Sequence, residues 1–232
     1  MRVAALYDVH GNLPALEAVL AEVPDGAAIV VGGDVTAGPL PSETLERLRG
    51  LGERVRWIRG NADRELTPSE PGLAPADVIE WVREQHAEEQ IAFLHGLPER
   101  LALEVEGIGR VLFCHATPQN DMDIFLEGTP EQAVLPSFAG VEADLVVCGH
   151  THMQFSREIG DVRVVNAGSV GMPYDDEPGA YWLALGPEVE HRRTAYDPAG
   201  LEASAFPGDY FRGGRPSKAE VTAHFAQHAV GA

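Results

Sequence analysis

Apolar positions in this chain come in short runs that stop abruptly, and the same few residue types recur just beyond the stops. Residues 2–8, 27–32, 55–59, 99–105, 109–114, 144–148, 153–159, 162–165, 180–185 and 188–194 read as strands. Each is a short apolar or alternating run bounded by Gly, Pro or polar residues. Helical spacing appears first at Leu13, Leu16, Val19 and Leu20, with Asn12 as a cap and Pro14 in the first turn. Further helices are predicted over 42–51 with Ser42 as cap, over 75–86, 87–95 and 217–229. The first three strands alternate with helices, which is the pattern of a parallel sheet with crossovers. Residues 99–105 and 109–114 form a hairpin turning at Glu106-Gly107. The short links Ile159-Gly160-Asp161 and Leu185-Gly186-Pro187 make the later strands antiparallel.

The expected core is therefore a mixed two-sheet α/β (α+β) arrangement with helices outside, in one domain spanning residues 1–232. Two stretches interrupt it. Residues 65–96 carry Pro68, Pro71 and Pro75 and then two helices without a strand. This helical insertion forms either a lid or rim over a site, or a helical pair packed elsewhere on the sheet. Residues 119–138 are a second insertion of mixed polarity, and a Pro- and Gly-rich tail runs over residues 197–232.

Five of the strand ends carry chemistry. AALYD leads to Asp8 and His10, AIVVGGD to Asp34, VRWIRGN to Asn61, RVLFCH to His115, and LVVCGHTH to His150 and His152. In mostly parallel sheets ligands bind just beyond the carboxyl ends of strands. Seven ligand-type residues at five such ends predict one metal site drawn from most of the chain. In Asp8-Val9-His10 and His150-Thr151-His152 the ligands are two apart, which on an extended backbone puts both on one face. Gly11, Gly32, Gly33, Gly60 and Gly149 relieve crowding nearby. Any single histidine here would read as a hydrogen-bonded core or surface residue; the argument is in the set.

Composition narrows the chemistry. The formal charge of −19 and the lack of a basic stripe argue against long nucleic acid as a substrate. A small phosphorylated molecule remains compatible, because cations at the site reverse the local field. No apolar stretch approaches the ~20 residues of a membrane span, and the N-terminus has no signal-peptide pattern, so the expectation is a cytoplasmic protein with no membrane partner. A homo-oligomer stays open. Cys114 and Cys148 read as small core residues. His86, His95, His191, His224 and His228 read as solvated, and Trp57 as core.

The motifs Asp8-Val9-His10-Gly11-Asn12, Gly33-Asp34, Gly60-Asn61-Ala62-Asp63, His115 and Gly149-His150-Thr151-His152 resemble those of the calcineurin-like metallophosphoesterase superfamily. Their order and spacing match over roughly residues 1–186. Asn166-Ala167-Gly168-Ser169-Val170-Gly171 is similar to the segment after GHTH in the small bacterial YfcE-type and diadenosine-tetraphosphatase-like branch. The resemblance implies a four-layer αββα sandwich and two divalent transition metals about 3.5–4 Å apart. Manganese is the first choice for these mixed nitrogen and oxygen ligands, with Fe, Zn or Ni as others. It also implies roles. Asp8, His10 and His152 would hold one metal, Asn61, His115 and His150 the other, and Asp34 would bridge.

The implied reaction is hydrolysis of small phosphodiesters or nucleotide phosphoanhydrides by a metal-bridging hydroxide. Asp34, Asn61 and His115 would act through that hydroxide. The alternatives are a phosphomonoesterase of the same fold, or a metal-binding scaffold without chemistry. One departure matters. Many members have His after the motif Asn, whereas Ala62 stands here and offers no proton. General-acid help contributes ~10²–10⁴-fold, so its loss favours leaving groups that depart as anions. Asp63 is a candidate substitute acid or a structural cap, and Arg64 a candidate phosphate contact. Phe125 and Tyr174 are candidate stacking partners for a nucleobase.

Overall fold

A computed structural model describes residues 1–67, 70 and 72–231, so the loop markers Pro68 and Pro71 lie outside the described residues. Ten strands form two five-stranded mixed sheets. In chain order they are β1 (Val3–Leu6), β2 (Ala28–Val31), β3 (Val55–Trp57), β4 (Arg100–Val105), β5 (Gly109–Cys114), β6 (Leu145–Cys148), β7 (Gln154–Ile159), β8 (Val162–Ala167), β9 (Ala180–Leu185) and β10 (Val189–Thr194). The first sheet runs β10-β9-β1-β2-β3 and the second β4-β5-β6-β8-β7. β1, β2 and β3 are parallel, as are β5, β6 and β8. The hairpin pairs β4–β5, β7–β8 and β9–β10 are antiparallel.

The helices are α1 (Leu13–Glu22), α2 (Pro41–Arg49), α3 (Asn61–Glu65), α4 (Ala76–Glu84), α5 (Glu88–His95), α6 (Glu131–Val134) and α7 (Lys218–Ala226). Sidedness follows from strand periodicity. Val3, Ala5 and Tyr7 point into the space between the sheets with Phe113, Val147 and Val165. Ala4 and Leu6 point the other way, onto Leu16, Val19, Leu45 and Leu48 of α1 and α2. With both faces covered, β1 is apolar without alternation. Phe125, Val134 and Phe138 cover the outer face of the second sheet. The result is the four-layer αββα sandwich that the resemblance implied.

Several local expectations change. Ser42 does not cap α2, because Pro41 takes the first turn and the cap residue is Leu40. The Ser42 hydroxyl instead donates to the Gln85 carbonyl, tying α2 to the turn between α4 and α5. His86 in that turn is buried rather than solvated, and its Nε2 has no hydrogen-bond partner among the described residues. Phe125 is packed edge-on against Phe138 and Phe155 in the core, so it is not available to a nucleobase. The short helix α3 was not anticipated, since five residues are too few to show a helical period. The insertion combines both expectations: Val82 and Leu94 pack into the helix-side core, while Leu73, Ala74, Pro75 and Val78 edge a cleft.

Phe113 is fully buried between the sheets, two residues before His115. Phe113→Ala should therefore lower unfolding free energy by ~3–5 kcal/mol, read from urea denaturation.

Candidate metal centre

The seven ligand-type residues converge where β1, β2, β5 and β6 end and α3 begins. Donor atoms of Asp8, His10, Asp34 and His152 lie within 4.8 Å of one another, as do those of Asp34, His115 and His150. Asp34 belongs to both groups. The convergence is not achieved by extended backbone, as the two-residue spacing suggested. Asp8, His10, Asp34, His150 and His152 all have positive φ, at 53°, 46°, 52°, 68° and 58°. They are the non-glycine residues with positive φ among the described residues. Each such residue costs of order 1–3 kcal/mol and persists only where its surroundings fix it.

What fixes them is a layer of hydrogen bonds behind the ligands. The Asp63 carboxylate accepts from the main-chain N–H groups of Asp34 (2.8 Å), Val35 (2.9 Å) and Gly60 (3.0 Å). It thereby locks the β2 and β3 loops together. Asn166 donates to the Gly149 carbonyl (2.7 Å) and Thr151 Oγ1 (3.1 Å), and accepts from Gly168 N–H (2.9 Å). Ser169 donates to the Asp8 carbonyl (2.7 Å). The Asn166–Gly171 segment thus braces both the Asp8 and the His150 loops. A methyl group at Gly60 would run into the Asp34 carboxylate, which explains the glycine there.

The orientation of the rings defines what the centre can hold. His10 Nδ1 lies 3.0 Å from the Ala37 carbonyl, His115 Nδ1 2.9 Å from that of Gly32, and His152 Nδ1 2.8 Å from that of Met172. A carbonyl only accepts, so each Nδ1 carries hydrogen, and a ring in its neutral form points an Nε2 lone pair inward. His10 Nε2 and His152 Nε2 then face each other at 3.1 Å, and His115 Nε2 faces Asn61 Oδ1 at 3.2 Å. The Asn61 amide is held that way round by its bond to Glu65 Oε1 (2.8 Å). Asp8 Oδ1 is buried without a hydrogen-bond partner among the described residues, 3.4 Å from His152 Nε2 and 3.8 Å from His115 Nε2. Facing lone pairs and an orphaned carboxylate oxygen fit divalent cations placed between them.

Charge is tightly coupled here. Burial opposes a charged His115, but Asp34 and Asp8 outweigh it and hold the ring at about 10. Burial, with the neighbouring imidazoles, pushes His10 and His150 down to about 4. Burial raises Asp34, yet His115 and His10 bring it well below the usual carboxylate range. Asp34 Oδ1 accepts the Ala62 N–H (2.8 Å), so Oδ2 alone faces both groups, 3.8 Å from His10 Nε2 and 3.5 Å from His115 Nε2. Burial and Asp34 raise the Asp63 carboxyl to about 7.

Other candidates fall elsewhere. Asp63 is fully buried among main-chain donors and does not line the cleft. Arg64 pairs with Asp121 through Nε (2.8 Å) and Nη2 (3.1 Å), and lines with Arg59 and Arg100 a second crevice that reaches the candidate ligand His115. Tyr174 does reach the site, stacked on the His152 ring at 5.0 Å and 16°. Sequence reasoning missed Glu65 as the group that orients Asn61, although its i,i+4 spacing was a usable signal. The bracing role of the Asn166–Gly171 motif was likewise hidden, since its partners lie in loops distant along the chain.

This geometry accompanies a clear relationship. The chain belongs to the calcineurin-like phosphoesterase superfamily, whose domain matches residues 1–185. It is accordingly a phosphoester hydrolase. The phosphodiesterase YfcE of Escherichia coli K12 is 27% identical over 197 residues, covering 79% of this chain and 86% of that one. A symmetrical bis(5'-nucleosyl)-tetraphosphatase of Yersinia enterocolitica is 35% identical over 126 residues, but covers only 50% of this chain and 42% of its own length. The crystal structure of a metallophosphoesterase from Sphaerobacter thermophilus has the same fold, with a TM-score of 0.69, 24% identity, and coverage of 97% and 99% of the two chains. No helix among the described residues is long and apolar enough to cross a membrane.

Asn166→Ala removes buried partners from Gly149, Thr151 and Gly168 at once. It should cost about 1–3 kcal/mol of stability in a denaturant titration, with Asn166→Asp at least as harmful, since a buried carboxylate would face the Gly149 carbonyl in place of the amide donor.

Proposed function

We propose that this protein hydrolyses small organic phosphodiesters with two divalent transition-metal ions, manganese being the first choice. The observation that carries the reading is the inward set of lone pairs at the strand ends. His10 and His152 with Asp8 would hold one ion, His115 and His150 with Asn61 the other, and Asp34 Oδ2 would serve both. Imidazole mixed with carboxylate and amide oxygen suits Mn, Fe, Zn or Ni better than Ca or Mg. When bound, the ions supply Lewis acidity, neutralising phosphoryl oxygens and making water acidic enough to attack phosphorus near neutral pH.

The chain's own residues supply rigidity and exclusion. Asp63 holds the Asp34 and Asn61 loops at fixed separation, and Glu65 keeps the Asn61 oxygen turned inward. Residue 62 contributes only its main-chain N–H, to Asp34. Asp63, engaged by three main-chain donors, is a positioning group and not a substitute acid. Without a side-chain acid the ester group must leave as an anion, which favours aryl esters over alkyl ones. Phosphomonoester chemistry on alkyl substrates is disfavoured for the same reason. The phosphoanhydride reading draws on the tetraphosphatase relatives, which align with half of the chain. The name of the E. coli relative and the basic-poor cleft support the diester reading instead.

Chelation should abolish turnover of bis(4-nitrophenyl) phosphate and Mn²⁺ should restore it; inactivity across aryl diesters at full metal loading would refute the proposal. Asp34→Asn should lower that turnover by at least ~10²-fold and reduce bound manganese by elemental analysis. Glu65→Ala should weaken metal retention by ~10–100-fold in a competition titration while the protein stays folded by circular dichroism.

A further inference from the structure

The cleft over the candidate ligands has a volume of about 310 Å³, and part of its wall comes from beyond residue 185, where the family match ends. Phe206, Tyr210 and Phe225 of the tail join Leu73, Val78 and Tyr174. The wall is continuous with the site. Tyr174 stacks on His152, while Tyr210 and Phe225 meet Tyr174 edge-on at 6.0 and 6.2 Å. The tail is fixed in place rather than draped. Tyr210 Oη donates to the Pro173 carbonyl (2.7 Å), Lys218 Nζ pairs with Asp175 (2.8 Å), and Phe206 lies edge-on to Trp81 at 5.5 Å.

The chemistry of this wall is selective. Among the described residues no lysine or arginine lines the cleft, and the charged group outside the candidate ligands is Asp209. Away from the metal centre, a chain of phosphates would meet Asp209 and no cationic side chain of the cleft wall. The hydroxyls of Tyr174 and Tyr210 are already directed to Met172 Sδ and the Pro173 carbonyl, so the edge of a nucleobase would find few side-chain partners. An apolar ring needs neither. Leu73, 53% exposed, stands at this edge and gains burial only when something apolar enters.

We infer that the tail and the Leu73–Val78 edge form a subsite for the ester group of the substrate, and that the group it takes is an apolar aromatic ring on a phosphate of low charge. This rests on the phosphodiesterase reading above and adds the substrate class to it. The tail residues act as specificity determinants by touching the ring, with no part in the attack on phosphorus.

The test uses manganese-loaded full-length protein and two phosphonates that cannot be hydrolysed. Calorimetric titration should show phenylphosphonate binding at least ~10-fold more tightly than methylphosphonate, the scale expected for burying one ring. Phe225→Ala should reduce that ratio by ~3-fold or more for the lost aromatic contact. Leu73→Ser, at an exposed position that the fold does not rely on, should reduce it in the same direction. Equal binding of the two phosphonates, an unchanged ratio in both variants, or tighter binding of a methylene-bridged dinucleoside tetraphosphate would overturn the subsite. Turnover of bis(4-nitrophenyl) phosphate on the same samples separates the two readings. Hydrolysis without a phenyl preference sinks the subsite alone; a phenyl preference without hydrolysis supports the subsite and sinks the phosphodiesterase reading.

Discussion

Two carboxylates and four imidazoles share one buried spot, and positive charge has to sit among them. Without an ion, Asp34 and Asp8 draw a proton onto His115. With ions the protons must leave, so proton and metal compete for the same lone pairs. Everything near the centre serves to keep these groups together despite their cost. Five of the seven candidate ligands sit on left-handed backbone that most residues avoid, and Asp63, Asn166 and Ser169 bond to the main chain. The two sheets matter chiefly because they bring four strand ends to one seam. β1 and β2 come from one sheet, β5 and β6 from the other, and the apolar layer around Phe113 holds them in register.

Much of this was legible in the sequence, for a physical reason. A strand buried on both faces must be apolar throughout, so polar residues at its end stand out, as Asp8 after Tyr7 and His115 after Cys114 do. The four layers follow from the same runs, and the antiparallel pairs from turns such as Ile159-Gly160-Asp161. Backbone handedness was not legible. Side chains two apart on an extended strand and side chains on left-handed residues both converge, and only coordinates separate them. α3 was too short to show a period, and Pro41 displaced the expected Ser42 cap. Phe125 reads as a loop aromatic in sequence, but its partners Phe138 and Phe155 arrive from later segments. The same limit hid the burial of His86, whose neighbour Ser42 lies 44 residues earlier.

The two layers around the centre answer to different demands. Behind the ligands lie short hydrogen bonds to the main chain, which tolerate little change in shape. In front of them lies an aromatic wall drawn partly from the tail, where a change of side chain alters size without disturbing the loops. This separates how the centre is built from what it admits. Such a division lets one superfamily scaffold accept new ester groups by varying the wall alone.

The placement of the ligands along the chain has a kinetic corollary. Asp8 and His10 precede His150 and His152 by 142 residues, and the brace at Asn166–Gly171 comes later still. A nascent polypeptide on the ribosome therefore exposes isolated imidazoles and carboxyls long before it can present a chelating cage. On the two-ion reading, a cation captured early would be held by too few donors to stay, and stable loading would await closure of the second sheet.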